Sequence, residues 1–357
     1  MNNTFDLKKI LRPHILTLAP YSSARDEYTG HVGIFLDANE NPYGSVTEAD
    51  YNRYPDPYQA EIKQKITVIK QVSADRIFLG NGSDEPIDLL TRATCSPGTD
   101  HVIIMPPTYG MYEVSASIHD VRIDKASLTT DYQIDVDAVL NAVKDNTKII
   151  WICSPNNPTG NNMQDSAIET ILNSFNGLVV VDEAYIDFTD KPSWVSRLDE
   201  FPNLVVLQTF SKAWGLAGLR VGMCFASVEL VRILNKIKPP YNISLPAQQA
   251  LLAGLEHITA KDNMVADILQ ERASLETSLL DLPIVVKIHP SDANFLLVQF
   301  EDAKAVMDYL INETIIVRDR SRVHLCEGCL RITVGTNKEN EVLIDSLKKY
   351  QQKNVTV

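Results

Sequence analysis

Between residues 76 and 209, five short apolar runs alternate with stretches of helix length, and this alternation constrains the fold more than any other feature of the chain. The runs are 76–79, 101–105, 148–152, 178–181 and 204–209. Each has the length of a strand, and most are β-branched, as strands buried on both faces should be. Helix-length segments such as 85–94 and 164–173 lie between them. Strand–helix alternation of this kind predicts an α/β domain with a mainly parallel central sheet. After Pro246 the character changes. Residues 247–280 read as nearly continuous helix, followed by strand-like runs at 285–288, 294–298 and 331–334 and by helices at 303–312 and 340–352. The expected organisation is an arm at 1–35 packing on the smaller domain or on a partner chain, a large domain at 36–246, and a small α+β domain at 247–357.

The net charge of −13 opposes non-specific attraction to nucleic acid or to an anionic membrane. Residues 1–10 show no apolar segment of the secretory kind, and the longest apolar runs fall far short of the ~20 residues that span a bilayer. The five cysteines are scattered and odd in number, which argues against a disulfide framework. A cytoplasmic location is expected. Cys326 and Cys329 form a C-x-x-C pair close to His324, but no fourth ligand is apparent, so packing is expected there and no metal.

Five clusters fall at or near the ends of the expected strands, where open α/β sheets bind ligands. Gly80-Asn81-Gly82-Ser83-Asp84-Glu85 joins a strand to a helix. Gly82 permits close backbone approach, and the free N–H groups of the helix start suit a phosphate. Alone, the segment reads more readily as a plain capped turn. Tyr109, in Pro106-Pro107-Thr108-Tyr109-Gly110-Met111-Tyr112, can stack on a flat aromatic ligand. Asn157, in Ser154-Pro155-Asn156-Asn157-Pro158-Thr159-Gly160, can donate to a ring oxygen. Asp182, in Val181-Asp182-Glu183-Ala184-Tyr185, can pair with a pyridinium nitrogen. A Walker-B reading of the same letters needs a P-loop, and the sequence has none. Lys212 follows an apolar strand in Ser211-Lys212-Ala213-Trp214-Gly215-Leu216-Ala217-Gly218-Leu219-Arg220, where burial would free a nucleophilic amine. Ser211 and Arg220 can hold a phosphate. Order and spacing, more than any one cluster, carry the signal.

These strings resemble the class I/II aminotransferases of pyridoxal-phosphate (PLP) fold type I. Asp37-Ala38-Asn39-Glu40-Asn41-Pro42, Arg53-Tyr54-Pro55-Asp56 and Leu330-Arg331-Ile332-Thr333-Val334-Gly335-Thr336 are more narrowly similar to the histidinol-phosphate aminotransferase family. The match runs from about residue 36 to 336. The resemblance implies PLP as cofactor, held covalently by Lys212, with Lys212, Asp182 and Tyr109 at the chemistry. It implies that Gly82, Ser83, Asp84, Asn157, Tyr185, Ser211 and Arg220 line the cofactor, and that Tyr54 reaches the cofactor phosphate of the other subunit of a homodimer. Arg331 would bind the substrate's anion, with Arg318, Asn41 and Tyr21 assisting. After Tyr21 the chain departs from the family, with Ser22-Ser23-Ala24-Arg25-Asp26-Glu27 in place of a Pro/Gly-rich turn. The implied reaction is amino exchange between L-glutamate and imidazole-acetol phosphate, in histidine biosynthesis. Rivals are an aromatic aminotransferase or a phospho-amino-acid decarboxylase of the same fold. A PLP-binding DNA regulator would need a module before residue 36, and a P-loop ATPase would need the absent motif.

Overall fold

A computed structural model describes residues 5–21 and 33–354. Seven strands form the large sheet: β1 (Ile77–Asn81), β2 (His101–Ile104), β3 (Arg122–Lys125), β4 (Thr147–Cys153), β5 (Leu178–Asp182), β6 (Leu204–Thr209) and β7 (Val221–Phe225). Their order is β1-β7-β6-β5-β4-β2-β3, and every pairing is parallel except the two made by β7. Both faces are covered, and the strands divide their side chains by the period of two. Ile150, Ile152, Val179, Val181, Leu204 and Val206 enter one core layer. Their neighbours Ile149, Trp151, Leu178, Val180, Val205 and Leu207 enter the other. This double burial is why the strands read as unbroken apolar runs.

Two strands of this sheet carried no clear sequence signal. β3 is a charged edge strand, Arg-Ile-Asp-Lys, with no buried residue, and charge at an edge discourages pairing with other chains. β7 is fully buried but follows directly on the Lys212 loop and contains Gly222. That glycine is required by packing: a Cβ there would meet the carbonyl carbon of Gly82 and the nitrogen of Ser83, both at 2.4 Å.

A second sheet, order β10-β11-β9-β8, comprises β8 (Val285–His289), β9 (Phe295–Phe300), β10 (Arg318–Asp319) and β11 (Cys329–Thr333), all antiparallel. The helices Ile258–Leu280, Ala303–Asn312 and Asn337–Asn354 pack on it through Leu275, Leu279, Leu310, Leu343 and Leu347. The stretch expected as one helix is two, Leu245–Gly254 and Ile258–Leu280. The chain turns between them and buries Leu255 in the main core. Phe295, Leu297, Cys326 and Cys329 join that same core layer, so the two sheets share apolar contacts.

Of the two placements expected for the N-terminal arm, on the smaller domain or on a partner chain, the first is not the one the described part takes: within this chain it packs on the large domain. The helices Leu7–Ile10 and Pro13–Thr17 lie on the large domain, with Ile10 in the core layer that holds Phe78, Leu230 and Leu234. Arg12 N–H donates to the Ala93 carbonyl at 2.9 Å, and Lys236 Nζ donates to the Ile15 carbonyl at 2.8 Å. The Ser22–Glu27 stretch lies outside the described residues. Among the described residues no helix is long and apolar enough to cross a membrane.

Candidate active site

The carboxyl ends of the parallel strands open onto a cavity of about 780 Å³. Asp182 ends β5, and Tyr109, Asn157, Ser211 and Lys212 follow the ends of β2, β4 and β6. β7 runs the other way, so its first residue lies on the same edge, and Arg220 just before it joins the others. The antiparallel strand therefore brings a residue from its beginning to the place where its neighbours contribute residues from their ends.

At the floor, Asp182 is only 2% exposed. Tyr112 donates to its Oδ2 at 2.7 Å, and the Ala184 N–H donates to its Oδ1 at 3.1 Å. Burial pushes the carboxyl up to about 6, although those hydrogen bonds pull it down. Lys212 opens onto the cavity, its Nζ 5.7 Å from the centre of the Tyr185 ring. Lys212 is exposed in the open cavity, and partial burial among its walls pushes the ammonium below the usual value. The charges of Arg331 and Arg220 act in the same direction. A lysine placed so holds more free amine at neutral pH, as a nucleophile needs.

Beside Lys212, Gly82, Ser211 and Arg220 form a cradle. The Gly82 N–H donates to the Arg220 carbonyl at 2.7 Å. Gly82 has φ +67, and a Cβ there would lie 2.6 Å from Arg220 Nη2. Arg220 itself adopts φ 55. Its guanidinium reaches Ser211 Oγ and Asp84 Oδ2, each at 3.4 Å, and Tyr109 donates to Asp84 Oδ1 at 3.0 Å. Asp84 thus orients both the arginine and the tyrosine. Arg220 remains half exposed, and the helix Asp84–Thr94 starts here, so this corner suits a phosphate.

On the far wall, Asn157 Nδ2 donates to the Tyr185 hydroxyl at 3.4 Å, and Arg331 Nη1 donates to Asn157 Oδ1. Arg318 and Arg320 complete that wall. The cavity therefore gathers Lys212, Asp182, Tyr109, Gly82, Ser83, Asp84, Asn157, Tyr185, Ser211, Arg220, Arg331 and Arg318 from the sequence reading. It does not gather Tyr54, Tyr21 or Asn41. Tyr54 stacks on Tyr241 with ring centres 4.4 Å apart, Tyr21 is 74% exposed, and Asn41 accepts from the Tyr43 N–H at 3.0 Å. The sequence reading missed Tyr112 and Arg320. Tyr112 sits within the quoted Tyr109 segment, whereas Arg320 lies two residues after Arg318, beside a two-residue strand too short to show a period. Glu183 is 1% exposed but points away from this task. It accepts from Ser193 Oγ, the Trp194 N–H and Gln208 Nε2, and burial pushes it up to about 7. Cys326 and Cys329 are buried, and among the described residues no group of three or more His, Cys, Asp or Glu side chains is placed to hold a metal.

This donor set fits PLP: a buried carboxylate for a ring nitrogen, an Asn–Tyr pair for a ring oxygen, and a phosphate cradle that Cβ atoms at Gly82 or Gly222 would obstruct. Fold and site define a class of enzyme, and the family model for aminotransferase class I and II matches residues 34–347. A histidinol-phosphate aminotransferase of Cytophaga hutchinsonii is 59% identical, over 97% of this chain and 99% of its own length. That of Parabacteroides distasonis is 50% identical, over 96% and 98%. The crystal structure of histidinol-phosphate aminotransferase from Sinorhizobium meliloti in complex with pyridoxal-5'-phosphate superposes with a TM-score of 0.79 at 24% identity, over 88% of this chain and 90% of that one. The chain belongs to the class I and II aminotransferases, in their histidinol-phosphate aminotransferase family.

Proposed function

We propose that this protein transfers the amino group between L-glutamate and imidazole-acetol phosphate, giving 2-oxoglutarate and L-histidinol phosphate, as a step of histidine biosynthesis. The observation that carries this reading is the position of Lys212, in one cavity with the buried Asp182, the Arg220 cradle and the Arg331 wall. When bound, PLP supplies the electron sink and carries the amino group from donor to acceptor.

The chain's residues divide the remaining work. Lys212 would hold the cofactor through its amine, and the same amine would move the proton at the substrate's reacting carbon. Asp182 keeps the ring nitrogen protonated, because a buried carboxylate is stabilised by an adjacent cation. Asn157 and Tyr185 would hold the ring oxygen, and Tyr109 would pack against the ring. Ser211, Arg220 and the Gly82–Ser83 backbone, oriented by Asp84, hold the cofactor phosphate. Arg331 and Arg318 receive the substrate's anion. One fork serves both substrates in turn, since a carboxylate and a phosphate each match guanidinium geometry.

A homodimer completes this proposal. Ile34, Leu36, Tyr43 and Val46 are 91%, 87%, 96% and 106% exposed, an apolar stretch that a second copy would cover. Tyr54 lies close by in sequence and is half exposed, and in this reading it would reach the cofactor phosphate of the other subunit. Tyr21 and Asn41 would close on the substrate as the site fills. The cysteines are all unpaired, which suits a reducing compartment, and we place the protein in the cytoplasm.

The test is spectroscopic. With PLP loaded, L-histidinol phosphate should bleach the visible band of the lysine-bound cofactor, and 2-oxoglutarate should restore it. Carbon dioxide release without amino exchange would favour the decarboxylase reading. An equal response to phenylalanine would favour the aromatic one.

A further inference from the structure

Beside Arg331 and Arg318, a third arginine, Arg320, stands on the substrate wall of the cavity. β10 pairs with β11 so that Arg318 stands opposite Arg331 and Asp319 opposite Leu330. The ladder continues one residue further, because the Arg320 N–H donates to the Cys329 carbonyl at 3.0 Å. With a side-chain period of two, Arg318 and Arg320 share one face of this ribbon with Arg331, and Asp319 lies on the other. All three arginines line the cavity, and Asp319 does not. Asp319 instead accepts from the Ser321 N–H at 2.8 Å.

Three guanidinium groups therefore meet on one wall, and among the described residues no carboxylate pairs with any of them. Arg331 has a neutral partner in Asn157. The Nε of Arg320 is buried and has no hydrogen-bond partner. Burial and the like charges of Arg331 and Arg318 push the Arg320 guanidinium below its usual value, a cost that an anion between them would relieve. The two substrates of the proposed reaction differ in that anion. A carboxylate carries one negative charge, whereas a phosphate monoester carries about two at neutral pH, with its second proton leaving near pH ~6.

We propose that Arg320 is a specificity-determining residue that reads the second negative charge of the substrate phosphate, so that Arg331 and Arg318 serve either substrate while Arg320 favours the phosphorylated one. This inference rests on the histidinol-phosphate reading above. An arginine that bonds a dianion directly should contribute roughly tenfold or more to its affinity and less to that of a carboxylate.

The experiment compares the holoenzyme with Arg320→Gln, Arg320→Lys and Arg322→Gln. Arg322→Gln removes the same charge from an exposed site outside the cavity. KM is measured for L-histidinol phosphate and for L-glutamate between pH 5.5 and 8, with the visible band as a check that the cofactor is held. In Arg320→Gln, KM for histidinol phosphate should rise roughly tenfold or more near pH 7.5, while KM for glutamate and kcat stay within about threefold. The gain in histidinol-phosphate affinity as its second proton leaves should flatten relative to the wild-type protein. Arg320→Lys should recover part of the loss, and Arg322→Gln should change little. If the wild-type protein fails to turn over histidinol phosphate, the functional reading falls. If it turns over, and Arg320→Gln shifts both substrates equally or neither, or Arg322→Gln matches it, the role assigned to Arg320 is wrong.

Discussion

The two ends of the cavity are built on opposite principles. At the large-sheet end Asp182, Asp84 and Arg220 already have partners. Asp182 accepts from Tyr112 and the Ala184 N–H, and Arg220 is held between Asp84 and Ser211. At the β10–β11 end three arginines share a wall, with one neutral partner, Asn157, for Arg331. The first end sits on fully buried strands, whereas both residues of β10 are exposed. The difference fits the two ligands. A cofactor that stays can be met by groups whose positions are fixed in advance. Substrates that alternate within one turnover are better met by charges that each incoming anion completes.

The largest expected effect breaks the first end at its reactive atom. Lys212→Ala should lower amino exchange by roughly 10⁴-fold or more and abolish the lysine-dependent visible band. A retained band would mean that another residue holds the cofactor.

Asp182→Asn should lower turnover by on the order of 10²–10³-fold, as expected when a preorganised charge is removed. It also gives a pH test. The folded-state carboxyl lies at about 6, above the ordinary aspartate value. In the cofactor-free protein its burial cost is therefore absent below about pH 4, grows as pH rises, and is complete above about 6. That cost is on the order of 1–3 kcal/mol, and thermal unfolding of the cofactor-free Asn variant should lack the corresponding decline between pH 4 and 6. Cofactor affinity should run the other way and weaken as pH falls below about 6 in the wild-type protein alone.

Arg331→Gln attacks the second end. KM for both substrates should rise roughly 10–100-fold with the visible band and cofactor affinity nearly unchanged. Loss of cofactor together with substrate affinity would show that the ends are not separable.

Tyr112→Phe is the mildest break. Removing the hydroxyl deletes a bond to the ionised form of Asp182, so the acid limb of cofactor binding should move to higher pH. Turnover near pH 8 should fall less than about tenfold. A limb that stays in place would mean that the Tyr112 hydroxyl does not help to set the Asp182 value.

The cavity's membership was largely legible in the sequence because its residues fall at strand ends, and the strands announce themselves as apolar runs. What failed to show is instructive. β7 hid behind the Lys212 loop, and with it the reason Arg220 can reach the cavity. Arg320 hid because β10 has only two residues, too short for any periodicity to register. Tyr112 hid inside a helix, where its hydroxyl meets a residue 70 positions away. The packing of residues 5–17 on the large domain was also invisible, since a few apolar residues in a short segment do not say which surface will take them.

The sequence by itself determined the alternation of strands and helices, the order Asn157, Asp182, Tyr185, Lys212, Arg220 and the glycine at 82, because these depend on local period, turn chemistry and residue type. Only the tertiary structure decided which charges meet. The antiparallel entry of β7 set Arg220 beside Gly82, and the pairing of β10 with β11 set Arg318 and Arg320 on the face of Arg331 while turning Asp319 away. Strand direction and register are settled by long-range packing, and a one-residue change in register would have exchanged those faces.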